Sequence, residues 1–261
     1  MKLAAVGSNC IDYYNNLDGG KAFPGGGPVN MAVYTVRLGG EAAYIGPVGN
    51  DSYGEIMMEA MKKKGVNISH LRVEEGKTAV SQVELVDGER ILGDYEEGVL
   101  ETYVLSDEDM DFIQNFDVVI CDVWGKVEGQ FKELKERGIT TAFDCATYLE
   151  SNASEQAIPY TDFLFYSTDE NDSSQLREQM KKIHEKGPKY VICMMGTMCY
   201  DGKDFHRFGI IPCEEVVDSM GAGDSYIAGF LKGMIEGKNI EEAMKLGATN
   251  ATETLKYFGA W

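Results

Sequence analysis

Hydrophobic and polar positions alternate along this chain in two rhythms. Short apolar runs at 3–6, 43–48, 118–121, 141–143, 163–165 and 190–194 have the length and composition of strands buried on both faces. Between them, apolar residues recur at helical spacing. Val29, Ala32, Val33 and Val36 share one face of the segment 29–38, and Tyr53, Ile56, Met57, Ala60 and Met61 do the same in the next segment. Doubly buried strands separated by amphipathic helices predict an α/β fold, with a mostly parallel sheet between helical layers. Ligands of such sheets bind beyond the carboxyl ends of the strands, so the loops at 7–12, 25–30 and 221–224 can meet in one cleft.

One region departs from this rhythm. Residues 78–86 alternate in strand fashion, Asp87-Gly88 is a hairpin turn signal, and 90–95 reads as the return strand. The pattern predicts a small β lid able to exclude water from a site, although an ordinary edge hairpin carries the same signature. No repeat, low-complexity tract or Pro/Ser-rich linker divides the chain, so 1–261 is expected to be a single domain. At 261 residues it is near the upper end for one continuous core, and 44% hydrophobic composition is enough to build it.

The formal charge of −19 argues against nucleic acid or an anionic membrane as partner, because both require a basic surface. The six cysteines include no Cys-x-x-Cys pair and several sit in apolar runs, as expected of buried, reduced thiols. No apolar stretch approaches the roughly 20 residues of a membrane span, and the first apolar run is too short for a signal peptide. The expected compartment is the cytoplasm.

Chemistry concentrates in Val217-Asp218-Ser219-Met220-Gly221-Ala222-Gly223-Asp224-Ser225, which leads into a helix marked by Ile227, Phe230, Leu231 and Met234. Gly221, Ala222 and Gly223 fall on the first turn, where backbone N–H groups lack intrahelical partners and the dipole favours an anion. Asp224 follows as a carboxylate able to take a proton from a hydroxyl that attacks phosphorus. A glycine turn with an Asp that merely supports the helix is the plainer alternative. Other chemistries lack raw material. There is no Gly-x-x-x-x-Gly-Lys-[Ser/Thr] loop, no third glycine of a dinucleotide fingerprint, and His70, His184 and His206 have no metal-ligand spacing.

A second glycine cluster, Pro24-Gly25-Gly26-Gly27-Pro28-Val29-Asn30-Met31-Ala32, accompanies the first. Together the two resemble the paired signatures of the ribokinase-like (PfkB) carbohydrate kinases. The resemblance implies a ribokinase-like three-layer sandwich, a β lid built from about 10–24 and 77–100, ATP and Mg²⁺ as cofactors, and Asp224 as catalytic base. It also implies sugar contacts from Asp12, with Asn9 beside it, and from Gly26, Gly27 and Asn30. Asp51, in a strand-to-helix passage, is expected to do no chemistry. On the nucleotide side the likeness is partial: Ser167 stands where the family has Asn, Glu170 would organise Mg²⁺ through water, and only Gly196 survives of a Thr-Leu-Gly-x-x-Gly pattern. Asn250 matches an Asn near adenine, or it braces neighbouring backbone. Arg90 in the hairpin would neutralise charge on the transferred phosphoryl group, or stay solvated. Lids in this family often pair between subunits, which implies a possible homodimer.

Within the family, Gly93-Asp94-Tyr95-Glu96-Glu97-Gly98-Val99, Val123-Trp124-Gly125 and Phe258-Gly259-Ala260-Trp261 look closest to the branch that phosphorylates fructoselysine at its 6-hydroxyl. Ammonium groups on that acceptor fit carboxylates such as Asp94, Glu96 or Glu84, and Trp124 would stack on an apolar sugar face or on lysine methylenes, or pack in the core. Two alternatives stay open: a kinase of the same family for another sugar or nucleoside, and a non-catalytic nucleotide or sugar sensor.

Overall fold

The computed structural model describes residues 1–86, 89–170, 172–194 and 197–261, with only the backbone of Glu89, Arg90 and Leu92. In chain order the strands are β1 (Lys2–Val6), β2 (Cys10–Tyr14), β3 (Lys21–Gly25), β4 (Glu41–Gly49), β5 (Asn67–Glu74), β6 (Val80–Val86), β7 (Glu89–Glu96), β8 (Val118–Asp122), β9 (Thr141–Asp144), β10 (Phe163–Tyr166), β11 (Tyr190–Cys193), β12 (Met198–Tyr200) and β13 (Phe205–Arg207). The α-helices are α1 (Gly27–Arg37), α2 (Ser52–Lys63), α3 (Asp107–Ile113), α4 (Phe131–Glu136), α5 (Asn152–Ala157), α6 (Ser174–His184), α7 (Ala222–Ile235) and α8 (Ile240–Thr254).

The main sheet runs β13-β12-β11-β10-β9-β8-β1-β4-β5, parallel from β5 to β11 and antiparallel at the β11-β12-β13 edge. Alternation along each strand divides the core in two. Ala4, Val6, Val119 and Cys121 point into a cluster shared with Met110, Phe131, Leu134, Ala157, Leu176 and Met180 of α3 to α6. Leu3, Ala5, Val118 and Ile120 point the other way, against Val29, Met57, Ile227, Phe230 and Met244 of α1, α2, α7 and α8. The result is the expected three-layer α/β sandwich, each strand reading as continuously apolar because both of its faces are covered.

A second sheet, β3-β2-β6-β7, is built from residues within 10–25 and 80–96. The turn signal Asp87-Gly88 lies outside the described residues. Two elements had no apolar run to announce them. Strand β5 is an edge strand with three of its eight residues exposed and none buried, and β12-β13 is a hairpin of three-residue strands. Asp51 caps α2, accepting from the Gly54 N–H at 2.9 Å and from Thr78, so its role is architectural. No described helix is long and apolar enough to cross a membrane.

Candidate active site

The N-terminus of α7 is fixed by a left-handed Gly221 (φ 75°, ψ 2°) as its cap. A Cβ there would stand 2.2 Å from the Tyr34 hydroxyl, so glycine is required by backbone conformation and space alike. The Ala222 N–H turns to the Ser219 carbonyl at 3.2 Å, leaving the Gly223 and Asp224 N–H groups as the outward donors of the first turn. The preceding loop is held by Asp218, which accepts from the N–H groups of Met220 and Gly259.

Helix α1 begins at the other glycine cluster, with Gly26 as its cap and Pro28 in its first turn. It brings Asn30 to Asp224. The Asn30 amide Nδ2 donates to Asp224 Oδ2 at 2.7 Å across 194 positions of sequence. A Cβ on Gly27 would lie 2.8 Å from Asp122 Oδ2 and 3.4 Å from Asp224 Oδ1, so the bare backbone here separates two carboxylates. Two sequence-distant signatures thus meet in one cleft.

Asp122 and Asp144, which sequence reasoning missed, end β8 and β9 as register partners. Ser8 Oγ donates to Asp122 Oδ2 at 2.5 Å, the Trp124 N–H donates to Asp122 Oδ1, and the Ala146 N–H donates to Asp144 Oδ1. The available signal was an acid closing an otherwise apolar strand, at the end where α/β folds bind ligands. Asp12 completes the group from β2, 7% exposed, with Cys10 Sγ at 3.6 Å from its Oδ1.

These carboxylates hold their protons tightly. Burial pushes Asp224 up to about 6, opposed by the Asn30 hydrogen bond and assisted by the charge of Asp12. Burial takes Asp122 to about 7 against the Ser8 bond, with Asp224 adding repulsion. Asp144 reaches about 8, through burial and then the charges of Asp224 and Asp122. The group therefore shares protons near neutrality and would accept a cation readily.

Asn9 is 1% exposed, and its Nδ2 is committed to Tyr44 Oη and the Pro47 carbonyl. Its Oδ1 has no hydrogen-bond partner among the described residues. In the lid sheet, Ser81 pairs with Tyr95 and Val83 with Leu92, so β7 carries an extra residue at Gly93–Asp94. Tyr95 faces the cleft, where burial and then the charges of Cys10 and Asp122 keep its hydroxyl protonated. The expectation for Asp94 is corrected here: it is exposed and lines an outer recess with Asn15, Gln82, Glu84 and Ile91. The bulge, which plain alternation does not encode, turns Gly93 and Asp94 to the side opposite Tyr95. The Arg90 side chain lies outside the described residues.

A Cβ on Gly223 would lie 4.0 Å from Cε of Met194, which follows β11. Ser167 lines a recess of about 390 Å³ with Tyr148, Tyr166 and Thr168, beyond the ends of β9 and β10. Glu170 is exposed nearby, and Gly196 lies outside the described residues. Asn250, 4% exposed, donates from Nδ2 to the Ser225 carbonyl at 2.6 Å and accepts from Arg37 at 2.8 Å, so here it braces α8 against α7. Among the described residues no three His, Cys, Asp or Glu side chains are grouped to hold a metal. One exposed carboxylate still fits Mg²⁺, which keeps most of its waters and binds through few protein carboxylates plus substrate phosphates.

Trp124, 41% exposed, meets Tyr148 edge-on at 5.7 Å. They follow Asp122 and Asp144 closely and form an open aromatic corner beside the carboxylates.

Known proteins place this geometry. The chain is 41% identical to a fructoselysine 6-kinase of Shigella flexneri, over 99% of each chain. It is 31% identical to a fructosamine kinase of Bacillus subtilis, covering 100% of this chain and 93% of the other. Among solved structures, Arabidopsis thaliana ribokinase complexed with ribose and ATP superposes with a TM-score of 0.85 at 23% identity, over 99% of this chain and 93% of that one. The sequence pattern of the pfkB family carbohydrate kinases matches residues 2–261, and the chain belongs to that family, a phosphotransferase acting on a sugar hydroxyl.

Proposed function

We propose that this protein transfers the γ-phosphoryl group of ATP to the 6-hydroxyl of fructoselysine, as one kinase domain with a four-stranded lid. The observation that carries the reaction is Asp224 in the first turn of α7, beside unpaired backbone donors and held by Asn30. With its carboxyl pushed up to about 6, Asp224 is mostly ionised at neutral pH yet basic enough to take a proton. As the acceptor oxygen bonds to phosphorus, its proton passes to Asp224 Oδ, the bond from phosphorus to the bridging oxygen breaks, and ADP leaves. The Gly223 and Asp224 N–H groups then face the charge that builds on the phosphoryl oxygens. Mg²⁺ bound with the nucleotide would supply further neutralisation, and Glu170 would be the residue to hold it through water. Closure of the lid, which carries Asp12 and Tyr95, keeps water from competing with the sugar.

Two features favour fructoselysine over a neutral sugar. The Asp12 carboxylate in the cleft suits an acceptor whose secondary amine is protonated, and the Trp124–Tyr148 corner offers apolar surface to lysine methylenes. The high identity to fructoselysine 6-kinases over the full length points the same way. An ADP-release assay over fructoselysine, fructose, ribose and adenosine tests the assignment. Fructoselysine is expected to show a kcat/KM at least about 10²-fold above the others, as a buried charge contact predicts. Equal or better turnover of a neutral acceptor overturns it. The same reading includes a homodimer through the outer lid face, where Ile91 is 52% exposed, and a monomer mass by sedimentation would remove that part.

A further inference from the structure

The indole Nε1 of Trp261 donates to Asn30 Oδ1 at 2.7 Å, on the same amide whose Nδ2 donates to Asp224 Oδ2 at 2.7 Å. Asn30 is 3% exposed, so water does not supply alternatives. An indole nitrogen only donates and an ionised carboxylate only accepts, so the chain Trp261 to Asn30 to Asp224 runs in one direction. A flipped amide would oppose donor to donor at Trp261 and oxygen to carboxylate at Asp224. The segment carrying Trp261 is itself anchored. The Gly259 N–H donates to Asp218 Oδ2 at 2.8 Å, the Tyr34 hydroxyl donates to the Ala260 carbonyl, and Lys64 Nζ sits 5.6 Å from the Trp261 ring centre. Phe258 packs on Phe23 of the lid at 5.5 Å. The last four residues therefore tie the lid sheet, the loop before α7 and the Asp224 partner together.

We propose that Trp261 is a positioning residue for phosphoryl transfer: its indole N–H locks the Asn30 amide so that the amide N–H, and not the amide oxygen, faces Asp224. This rests on Asp224 being the base. Each end of the Asn30 amide keeps one hydrogen-bonding position beyond these two bonds, so a sugar hydroxyl can meet the same side chain. The groups facing Asp224 from the neighbouring elements are Asp12 and Cys10 on β2, Asp122 on β8, Asp144 on β9 and Tyr34 on α1. Of these only Tyr34 touches the terminal segment, through the Ala260 carbonyl, so removing the Asn30 amide separates the amide route from that one.

The test is Trp261→Phe in the full chain, which keeps a ring over Lys64 and removes only the donor. With Asn30 free to turn, Asp224 loses hydrogen-bonding to its ionised form, and the acidic limb of kcat moves to higher pH by about half to one unit. At pH 5 that appears as a fall in kcat of about 3–9-fold, shrinking toward pH 8. In an Asn30→Ala background the same substitution is expected to add less than about 2-fold, because the relay is already cut. An unmoved acidic limb in Trp261→Phe, or an undiminished effect in the Asn30→Ala background, overturns the proposal. Substantial turnover by Asp224→Asn would instead overturn the assignment of the base, so the two failures are separable.

Discussion

The two sides of the α7 N-terminus are built differently. On the acceptor side, Asp12, Asn30, Asp122, Asp144 and Asp224 are buried or half-buried, and their partners include Ser8 after β1, the N–H groups of Trp124 and Ala146 in the loops after β8 and β9, Asn30 on α1 and Trp261. On the nucleotide side, Ser167 lines an open recess, Glu170 is exposed, and Met194 is the residue near Gly223. One side is held by side-chain hydrogen bonds; among the described residues the other offers mainly backbone donors. The physical reason lies in what each must do. A base must be held at a set distance and basicity, whereas triphosphate brings its own charge and cation and needs chiefly donors and room.

If that contrast is right, the largest loss comes from the acceptor side. Asp224→Asn keeps shape and hydrogen bonding but cannot take the proton, so kcat is expected to fall by about 10²–10⁴. ATP affinity by calorimetry should stay within about 3-fold, because the donors of α7 are backbone groups. Near-normal turnover would remove the base from this account. Next in size is Asp12→Asn. Its carboxylate lies in the cleft and its charge helps to raise Asp224, so losing it should do two separable things. The acceptor KM rises by about 10–10²-fold as a charged contact is lost. The acidic limb of kcat shifts to lower pH, since one repelling charge beside Asp224 is gone.

Why one side could be read from the chain and the other only in part follows from the range of the interactions. The anion turn is local: two glycines, an acid and a helical apolar pattern sit within one stretch, and that stretch became the α7 cap with Asp224 in the first turn. The sheet was legible for the same reason, because doubly buried strands are continuous apolar runs. The bond from Asn30 to Asp224 spans 194 positions and has no sequence signature of its own. Asp122 and Asp144 were hidden because a lone acid after an apolar run looks like the start of a turn. The place of Tyr95 in the cleft was hidden because one extra residue in β7 breaks the period of two. Asn250 was read by likeness as a nucleotide contact, whereas its amide is spent on Ser225 and Arg37.

The nucleotide side should respond weakly. Glu170→Gln removes an exposed charge that reaches the cation only through water, so the KM for MgATP is expected to rise by about 3–10-fold with the acceptor KM unchanged. Titration of Mg²⁺ at fixed ATP reads this directly. A loss as large as that of Asp224→Asn would mean that the nucleotide side, too, is preorganised by side chains, and the contrast between the two sides would fail.

The smallest effect is on stability, and it sharpens the contrast from the opposite direction. Crowding buried acids around a base costs the fold something that an exposed Glu170 does not. Asp144 is held at about 8, chiefly by burial, against about 3.9 for an unfolded Asp. Between those values the folded chain binds the extra proton, so stability from this group is full below about pH 4 and is lost as pH rises through about 8. Asn at this position cannot ionise and still accepts from the Ala146 N–H. Asp144→Asn should therefore leave Tm nearly unchanged at pH 5 and raise it at pH 8.5 by roughly 2–4 °C, the response to about 1 kcal/mol in a chain of this size. Near pH 6, where Asp224 titrates, Asp144 already carries its proton, so the acidic limb of kcat should stay in place in the same variant. A Tm that rises equally at both pH values would assign the gain to packing and would mean that Asp144 is not held as a reluctant carboxylate beside the base.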